Sequence, residues 1–527
     1  MKCQVTSVFD VLVLGSGISG LAAAVTAAEA GCSVCVISKE SDFLESNTYY
    51  AQGGIVGDSP EDTQNALARD INRAGNNLNY RRAVKLIASE GAKALRELLV
   101  EKAGVPFGRD EKGNFLFTRE AAHSVRRILY VKDTTGKSIQ EHLLNYAKNL
   151  PNIDFYHNCI AVDIITNTHH SKNKQERYRT SRAFGAYVLD EETGDVIPFF
   201  AHNTVIATGG IGNIFRHTSN PEGSTGDGIA MAYRTGAEII NAEYIQFHPT
   251  ILYHRDVKRF LISEALRGEG ARLMNIKGEY FMERYHPGLK DLAPRDEVAR
   301  AIYRELEASH TDYVLLDTRK INEVSAAERF PGIAKKCKQI GINIETDPVP
   351  VVPAAHYFCG GIKTDLNGAT SIEGLYAVGE TACTGVHGAN RLASVSLLEG
   401  LYFGRSAGEH ISKGFKPLSN TRISDIPGWI YPEVQESFDP VLIQHDMLNL
   451  QLTMWNYVGI IRTKRRLERA LSDLNYLKHR VNKFYRGARL NRGIVELRNS
   501  IQAAIVIAGS AASNNESLGC HYIRERK

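Results

Sequence analysis

A glycine pattern near the start of the chain, Gly15-x-Gly17-x-x-Gly20, sits between an apolar run at 11–14 and an alanine-rich stretch at 21–30. A strand that turns through glycines into a helix N-terminus gathers backbone N–H groups and the positive end of the helix dipole, which suits a pyrophosphate. The turn residues Gly15, Ser16, Gly17, Ile18, Ser19 and Gly20 are therefore expected to hold the phosphates of a dinucleotide. At the end of the next strand a simple NAD site carries an acid for the ribose, but here Ser38, Lys39 and Glu40 put a lysine in that place. This favours FAD, with Lys39 near the cofactor or Glu40 slightly displaced. Small residues within Asn47, Thr48, Tyr49, Tyr50, Ala51, Gln52, Gly53 and Gly54 let the backbone approach a flat ring closely. Glycine-punctuated strand ends recur at Thr208-Gly209-Gly210, around Asp227, and before Glu380. A long, extended cofactor such as FAD needs contacts of that kind along its length.

The elements that must position these residues open as strand (11–14), turn, helix (21–30), Gly31 as a stop, and strand (34–37). Such a βαβ unit begins a doubly wound α/β domain. Further strands ending in glycine at 204–210 and 374–379 make that domain discontinuous. The predicted architecture is α/β: a discontinuous Rossmann-like FAD-binding domain (1–241 and 354–416) with an inserted α+β capping domain (242–353). A proline-marked linker (417–447) then leads to a C-terminal three-helix domain (448–527), whose leucines and isoleucines recur at three- and four-residue spacing. The polar stretch 169–182 reads as a surface turn.

A chain of 527 residues holds two or three cores and needs no disulfides for stability. Its 8 cysteines are scattered, which suits a reducing cytoplasm, the expected location. The Cys32/Cys35 spacing puts the two thiols on opposite faces of a strand, so neither a redox pair nor a metal site is expected there. A net charge of +4 is nearly balanced and argues against a nucleic-acid or membrane-surface partner. Basic residues do crowd 462–492, where they alternate with apolar ones as on an amphipathic helix with a solvated face; an RNA-binding helix is the alternative. The apolar stretch at 11–14 is broken by glycines and lacks the features of a leader, and no apolar run approaches membrane-spanning length.

In sequence order the chain also carries 51–55, 207–210, Gln246-Phe247-His248-Pro249, 264–270, 293–296, 356–361 and 387–391. With the glycine turn, these segments resemble the succinate dehydrogenase/fumarate reductase flavoprotein superfamily over nearly the whole length. The resemblance implies FAD, with further cofactor contacts at Ser46, Ala161, Val162, Ser396 and Leu397. It implies a small dicarboxylate substrate held by His248, Ser263, His356 and Arg391, the arginine supplying a bidentate fork. It also puts Arg295 in the acid/base position, with Glu264 and Arg267 as its proton relay. Arginine is a poor base in water, so a contribution of positive charge is the simpler role, and an ordinary salt bridge to Asp296 or Glu297 is the alternative.

Membrane-bound members attach FAD covalently through a histidine before the Ala-Gln-Gly-Gly segment. The matching residue here is Asn47, whose amide cannot form that bond, so the resemblance implies noncovalent FAD. The segment 118–127 is similar to that of the aspartate-oxidising members, where an acid faces the substrate ammonium; Glu120 takes that place, or instead pairs with Arg119, Arg126 or Arg127. Such an acid rewards L-aspartate, whereas succinate leaves it unpaired. The tail, from 454 onward, resembles the helical domain of the same members. Ser263 replaces a threonine and keeps the hydroxyl, Val395 stands where an asparagine is usual, and Leu518 replaces an arginine. The implied reaction is oxidation of L-aspartate to iminoaspartate with oxygen or fumarate as acceptor, the product passing to quinolinate synthase for NAD synthesis, under a cap that closes to exclude water. A soluble fumarate reductase or succinate oxidase is the alternative among enzymes; a noncatalytic flavin- or RNA-binding protein is the alternative of another class.

Overall fold

The computed structural model describes residues 8–120, 122–132, 134–319, 321, 325–414, 423–433 and 439–524. Its largest sheet has seven strands. β1 (Phe9–Leu14) leads through the glycine turn into α1 (Ile18–Glu29) and β2 (Val34–Ile37). β3 (Ile153–Tyr156), β4 (Cys159–Thr166), β5 (Ala183–Asp190) and β6 (Val196–Ile206) complete the order β3-β2-β1-β6-β5-β4, and a short strand, Leu375–Ala377, also pairs with β6. The first half of β6 is antiparallel to β5, while its second half runs parallel between β1 and Leu375–Ala377. One strand thus joins a meander to the parallel sheet, and the chain returns to that sheet after a long excursion, as a discontinuous domain requires.

The apolar run in β1 is continuous because both faces of the sheet are covered. Val11 and Val13 join one core with α1, and Leu12 and Leu14 join another on the opposite face. Cys35 lies on the second side and Cys32 on the first, as their spacing implies. α2 (Asp227–Thr235) covers the second face. The stretch 169–182, expected as a plain surface turn, contains a buried Glu176 that accepts from Asn167 Nδ2 at 3.0 Å, so it folds around its own hydrogen bonds.

A second sheet is wholly antiparallel. β7 (Ile245–Leu252), β8 (Arg272–Met274), β9 (Val314–Asp317) and β10 (Val349–Phe358) pair in the order β7-β10-β9-β8, with α3 (Arg295–Ser309) beside them. Leu266, Phe281, Val298, Ile302 and Val351 form a core of this layer's own. The domain boundary expected at 353 falls inside β10, which carries the chain from the cap into the nucleotide-binding layer without a break.

After the return strand, α4 (Val395–Lys413) lies against α1. The fit is close: a Cβ at Gly404 would sit 2.3 Å from the Ser19 carbonyl oxygen, and one at Gly408 2.7 Å from that of Ala23. Three long helices follow, α5 (Pro440–Val458), α6 (Lys464–Gly487) and α7 (Arg492–Ser513). The helical region expected from 448 begins earlier, because Pro440 occupies the first turn and the Asp439 side chain caps it through Val441 N–H. Part of the expected linker, 417–422 and 434–438, lies outside the described residues. On α6 Leu467, Ala470, Leu474, Leu477 and Val481 are buried and the basic residues between them face outward. Among the described residues no helix is long and apolar enough to cross a membrane.

Candidate functional site

The glycine turn is set by backbone contacts that no side chain permits. Gly15 has φ +118° and a Cβ there would lie 2.2 Å from the Ala207 carbonyl oxygen; a Cβ at Gly20 would lie 2.1 Å from that of Gly15. α1 therefore starts hard against the end of β1, with Ile18 N–H donating to Thr48 Oγ1 at 3.1 Å. From this turn a cavity of about 2320 Å³ extends to the cap. That exceeds the roughly 300–1,000 Å³ of a site for one small ligand, and leaves room for an extended cofactor and a substrate together.

Most of the residues expected at a cofactor line this cavity: Gly15, Ser16, Gly17, Ile18, Ser19, Lys39, Ser46, Asn47, Thr48, Tyr50, Ala51, Gln52, Gly53, Gly54, Ala161, Thr208, Gly209, Asp227, Glu380, Ser396 and Leu397. Three expected contacts stand behind the wall instead. Gly20 is spent on the strand–helix approach, Tyr49 meets Tyr50 edge-on at 5.3 Å, and Val162 is packed into the core with its carbonyl accepting from Arg234. Lys39 Nζ is held by Asp227 at 2.6 Å, Thr225 at 2.8 Å and Glu496 at 2.9 Å, so its charge is already met by two carboxylates. Glu40 pairs with Arg492 at 2.5 Å. Asn47 Nδ2 donates to Glu380 at 2.9 Å, and burial pushes the Glu380 carboxyl up to about 7.

At the cap end β7 brings Gln246 and His248, β10 brings His356, and the first residue of α3 is Arg295. The His248 and His356 rings meet edge-on at 5.2 Å. Burial, with Arg295 and Arg267 nearby, holds His248 well below its usual range; burial, with Arg391 and His248, does the same to His356. Arg391 Nη1 donates to Ser396 Oγ at 2.9 Å, Nη2 donates to Gln246 Oε1 at 3.2 Å, and its guanidinium carbon stands 4.6 Å from the Tyr357 ring centre. Its Nε is buried with no partner among the described residues. Arg295 Nε donates to Glu264 at 2.7 Å and Nη1 to the same Gln246 oxygen at 3.3 Å. Its pairing with Asp296 or Glu297 does not occur: Asp296 takes Arg300 at 2.8 Å and Glu297 faces His286 at 3.4 Å.

Arg267 lies behind Glu264, outside the cavity wall, with Nη2 3.7 Å from that carboxylate and Nη1 donating to the Asp291 carbonyl. Burial alone would raise Glu264, but Arg295 and Arg267 outweigh it and hold the carboxyl below its usual range. Ser263 lines the cavity. Glu120 also lines it, and Ser394 Oγ donates to Glu120 at 2.7 Å. Burial raises the Glu120 carboxyl, against the pull of Ser394, Arg295 and Arg391. It does not pair with Arg127, which is fully buried and pairs with Asp62 and Asp70, each at 2.6 Å. His123 Nε2 reaches the Ala393 carbonyl at 3.0 Å and ties the Glu120 segment to the start of α4.

Several residues of this site were given no role by the sequence, although Gln246 opens the Gln246-Phe247-His248-Pro249 motif. Gln246 Oε1 accepts from both Arg295 and Arg391 and fixes the two guanidiniums relative to each other. Ser394, with φ +58°, turns its hydroxyl to Glu120, and Ser219 holds His356 Nδ1 at 2.7 Å. Only the fold brings these partners together, across 145, 274 and 137 residues of chain.

The glycine cradle, the long cavity, and a cationic end that holds the carboxylate of Glu120 outside any ion pair among the described residues define a nucleotide-dependent oxidoreductase of the flavoprotein class. A family model for an FAD binding domain matches residues 10–397, and one for the C-terminal region of the fumarate reductase flavoprotein matches residues 447–527. The chain is 42% identical to an L-aspartate oxidase of Pseudomonas aeruginosa, over 97% of this chain and 94% of that one, and 42% identical to one of Yersinia pestis, over 99% and 97%. A quinol fumarate reductase structure from E. coli superposes with a TM-score of 0.87 at 28% identity, covering 98% of this chain and 91% of the other. The chain belongs to the L-aspartate oxidase family of the succinate dehydrogenase/fumarate reductase flavoproteins, and FAD is its cofactor. Its residues fit that group: besides the cradle at Gly15 and Gly20, a Cβ at Gly53 would lie 2.6 Å from Glu120 Oε1 and fill the floor beside the substrate end.

Proposed function

We propose that the protein oxidises L-aspartate to iminoaspartate, with oxygen or fumarate as the final acceptor, and supplies the product to quinolinate synthase in NAD biosynthesis. One observation carries the choice of substrate: among the described residues the Glu120 carboxylate forms no ion pair and is held by Ser394, while Glu264 at the same end of the cavity is taken by Arg295. The guanidiniums and the two histidines suit the carboxylates of a four-carbon diacid, and Glu120 suits an ammonium between them. Gln246 holds Arg391 and Arg295 in a fixed relation through one oxygen, which would orient the substrate before reaction. FAD supplies the hydride acceptor when bound, through noncovalent contacts, since Asn47 offers no ring nitrogen for attachment. The Arg295–Glu264–Arg267 row leads from the cavity to a buried guanidinium, and with fumarate as acceptor it would deliver a proton. Closure of the cap over this end would exclude water.

The test is Glu120→Gln. Losing a charge-assisted contact to the ammonium lowers kcat/KM for L-aspartate relative to succinate by about 10- to 100-fold. An unchanged ratio would assign the protein to the succinate-oxidising or fumarate-reducing members instead.

A further inference from the structure

The Nδ1 atoms of the two cavity histidines are both occupied, and donor–acceptor accounting identifies which atom of each contact carries the proton. His248 Nδ1 lies 3.2 Å from both the N–H and the carbonyl oxygen of Thr250. That carbonyl already accepts Ile262 N–H at 3.1 Å. The Thr250 N–H falls where the β7–β10 ladder slips, between His248 and Ile251, and is turned toward the ring. If Nδ1 carried a proton, two N–H groups would face each other in a buried place, at the cost of an unmade hydrogen bond. His356 repeats the arrangement with a side chain. Ser219 Oγ is 2.7 Å from its Nδ1, and the nearby carbonyl of Ala355 already takes Ser219 N–H at 3.0 Å and Thr218 Oγ1 at 2.9 Å. Both lone pairs of that oxygen are used, so the Ser219 hydroxyl proton is available to the ring.

We propose that His248 and His356 are held as neutral Nε2–H tautomers, so that each presents an uncharged N–H donor to a carboxylate, and that Ser219 is the positioning residue that sets the tautomer of His356. The inference rests on the dicarboxylate reading of this cavity and deepens it. Two imidazoliums at 5.2 Å beside Arg391 and Arg295 would repel one another and the arginines. Two neutral donors instead add directed hydrogen bonds and leave the positive charge to the guanidiniums. Thr250 contributes through its backbone, which a side-chain replacement does not remove; Ser219 contributes through its hydroxyl and can be tested.

Malonate, a dicarboxylate with no bond to dehydrogenate, serves as the probe, its binding read from the absorbance change of the bound flavin. Ser219→Ala removes the hydroxyl, and malonate Kd is expected to rise about tenfold or more, with KM for substrate rising more than kcat falls. Ser219→Thr is expected to restore binding to within about twofold, since a hydroxyl returns to the same place. Unchanged malonate affinity in Ser219→Ala would overturn the role of Ser219. Nitrogen-15 NMR of histidine-labelled holoprotein with malonate bound, assigned through His248→Asn and His356→Asn, reads the tautomers without altering Ser219. Unprotonated Nδ1 in both rings is expected; a protonated Nδ1 in either would overturn the assignment. These readouts do not use aspartate turnover: if aspartate is not oxidised while the malonate results hold, the substrate reading falls and the tautomer inference stands.

Discussion

A carboxylate facing two arginines across a cavity is a selective group only if it is not already spent on one of them. Glu120 meets that condition because Arg295 is taken by Glu264 and Gln246, Arg391 by Gln246 and Ser396, and Arg127 by Asp62 and Asp70. Ser394 then aims it with one hydrogen bond from an uncharged donor. At the same scale Asn47 predicts the state of the cofactor. Its amide donates to Glu380, so acid precipitation of the purified holoprotein should leave all yellow colour in the supernatant; colour retained in the pellet would contradict this. The glycine turn was legible from its residue types, whereas the gathering of His248, His356, Arg391 and Glu120 at one cavity was expected from the family resemblance. Gln246, Ser219 and Ser394 were not, because a glutamine or serine acquires its role only from partners that the sequence leaves far apart.

At the scale of elements, the cofactor cradle depends on how closely α4 can lie on α1. Gly404 stands 2.3 Å, by its absent Cβ, from the Ser19 carbonyl oxygen, and Ser19 lies in the helix start that forms the phosphate turn. Gly404→Val must push the helices apart, an overpacking cost of about 1–3 kcal/mol. The expected outcome is a lower flavin-to-protein absorbance ratio and a reduced Tm; full flavin content at unchanged Tm would show that α1 does not need this contact. The βαβ opening was readable because the glycines separate a short apolar run from an alanine-rich stretch, with a second apolar run after Gly31. The ends of the cap and tail were harder. β10 runs on through 353 because its residues are buried on both sides of that point, and Pro440 begins a helix rather than marking a linker, since proline fits the first turn as well as it breaks a later one. The stretch 169–182 looked featureless because its polar composition hides a buried glutamate, Glu176, which Asn167 meets from just before the stretch.

Taken whole, the molecule joins its three layers through buried histidines and arginines, and this sets its response to acid. Burial pushes His123, His217 and His521 down to about 4, against an unfolded value near 6.5. The unfolded chain therefore binds more protons between these values, so stability is lost as pH falls from about 6.5 to about 4. Glu380, pushed up to about 7, acts in the opposite sense between pH 7 and about 4.5, as does the raised Glu120, while the lowered His248 and His356 add to the three histidines. Tm of the holoprotein should fall by roughly 5 °C or more between pH 7 and pH 5; a flat profile would mean that these rings are protonated in the fold. The cap's α3 is also tied to the C-terminal segment, through Arg300 to the Gly519 carbonyl at 3.0 Å and Glu307 to Arg524 at 2.9 Å, so the helix that begins at Arg295 is anchored along its length. All of this bears on one event, reduction of the flavin by a particular amino acid. The most direct measurement mixes the yellow holoprotein anaerobically with L-aspartate, D-aspartate and succinate in turn and follows the flavin absorbance. Rapid bleaching by L-aspartate, with D-aspartate and succinate far slower, is the predicted result; bleaching by succinate at the same rate, or none by L-aspartate, would contradict the account.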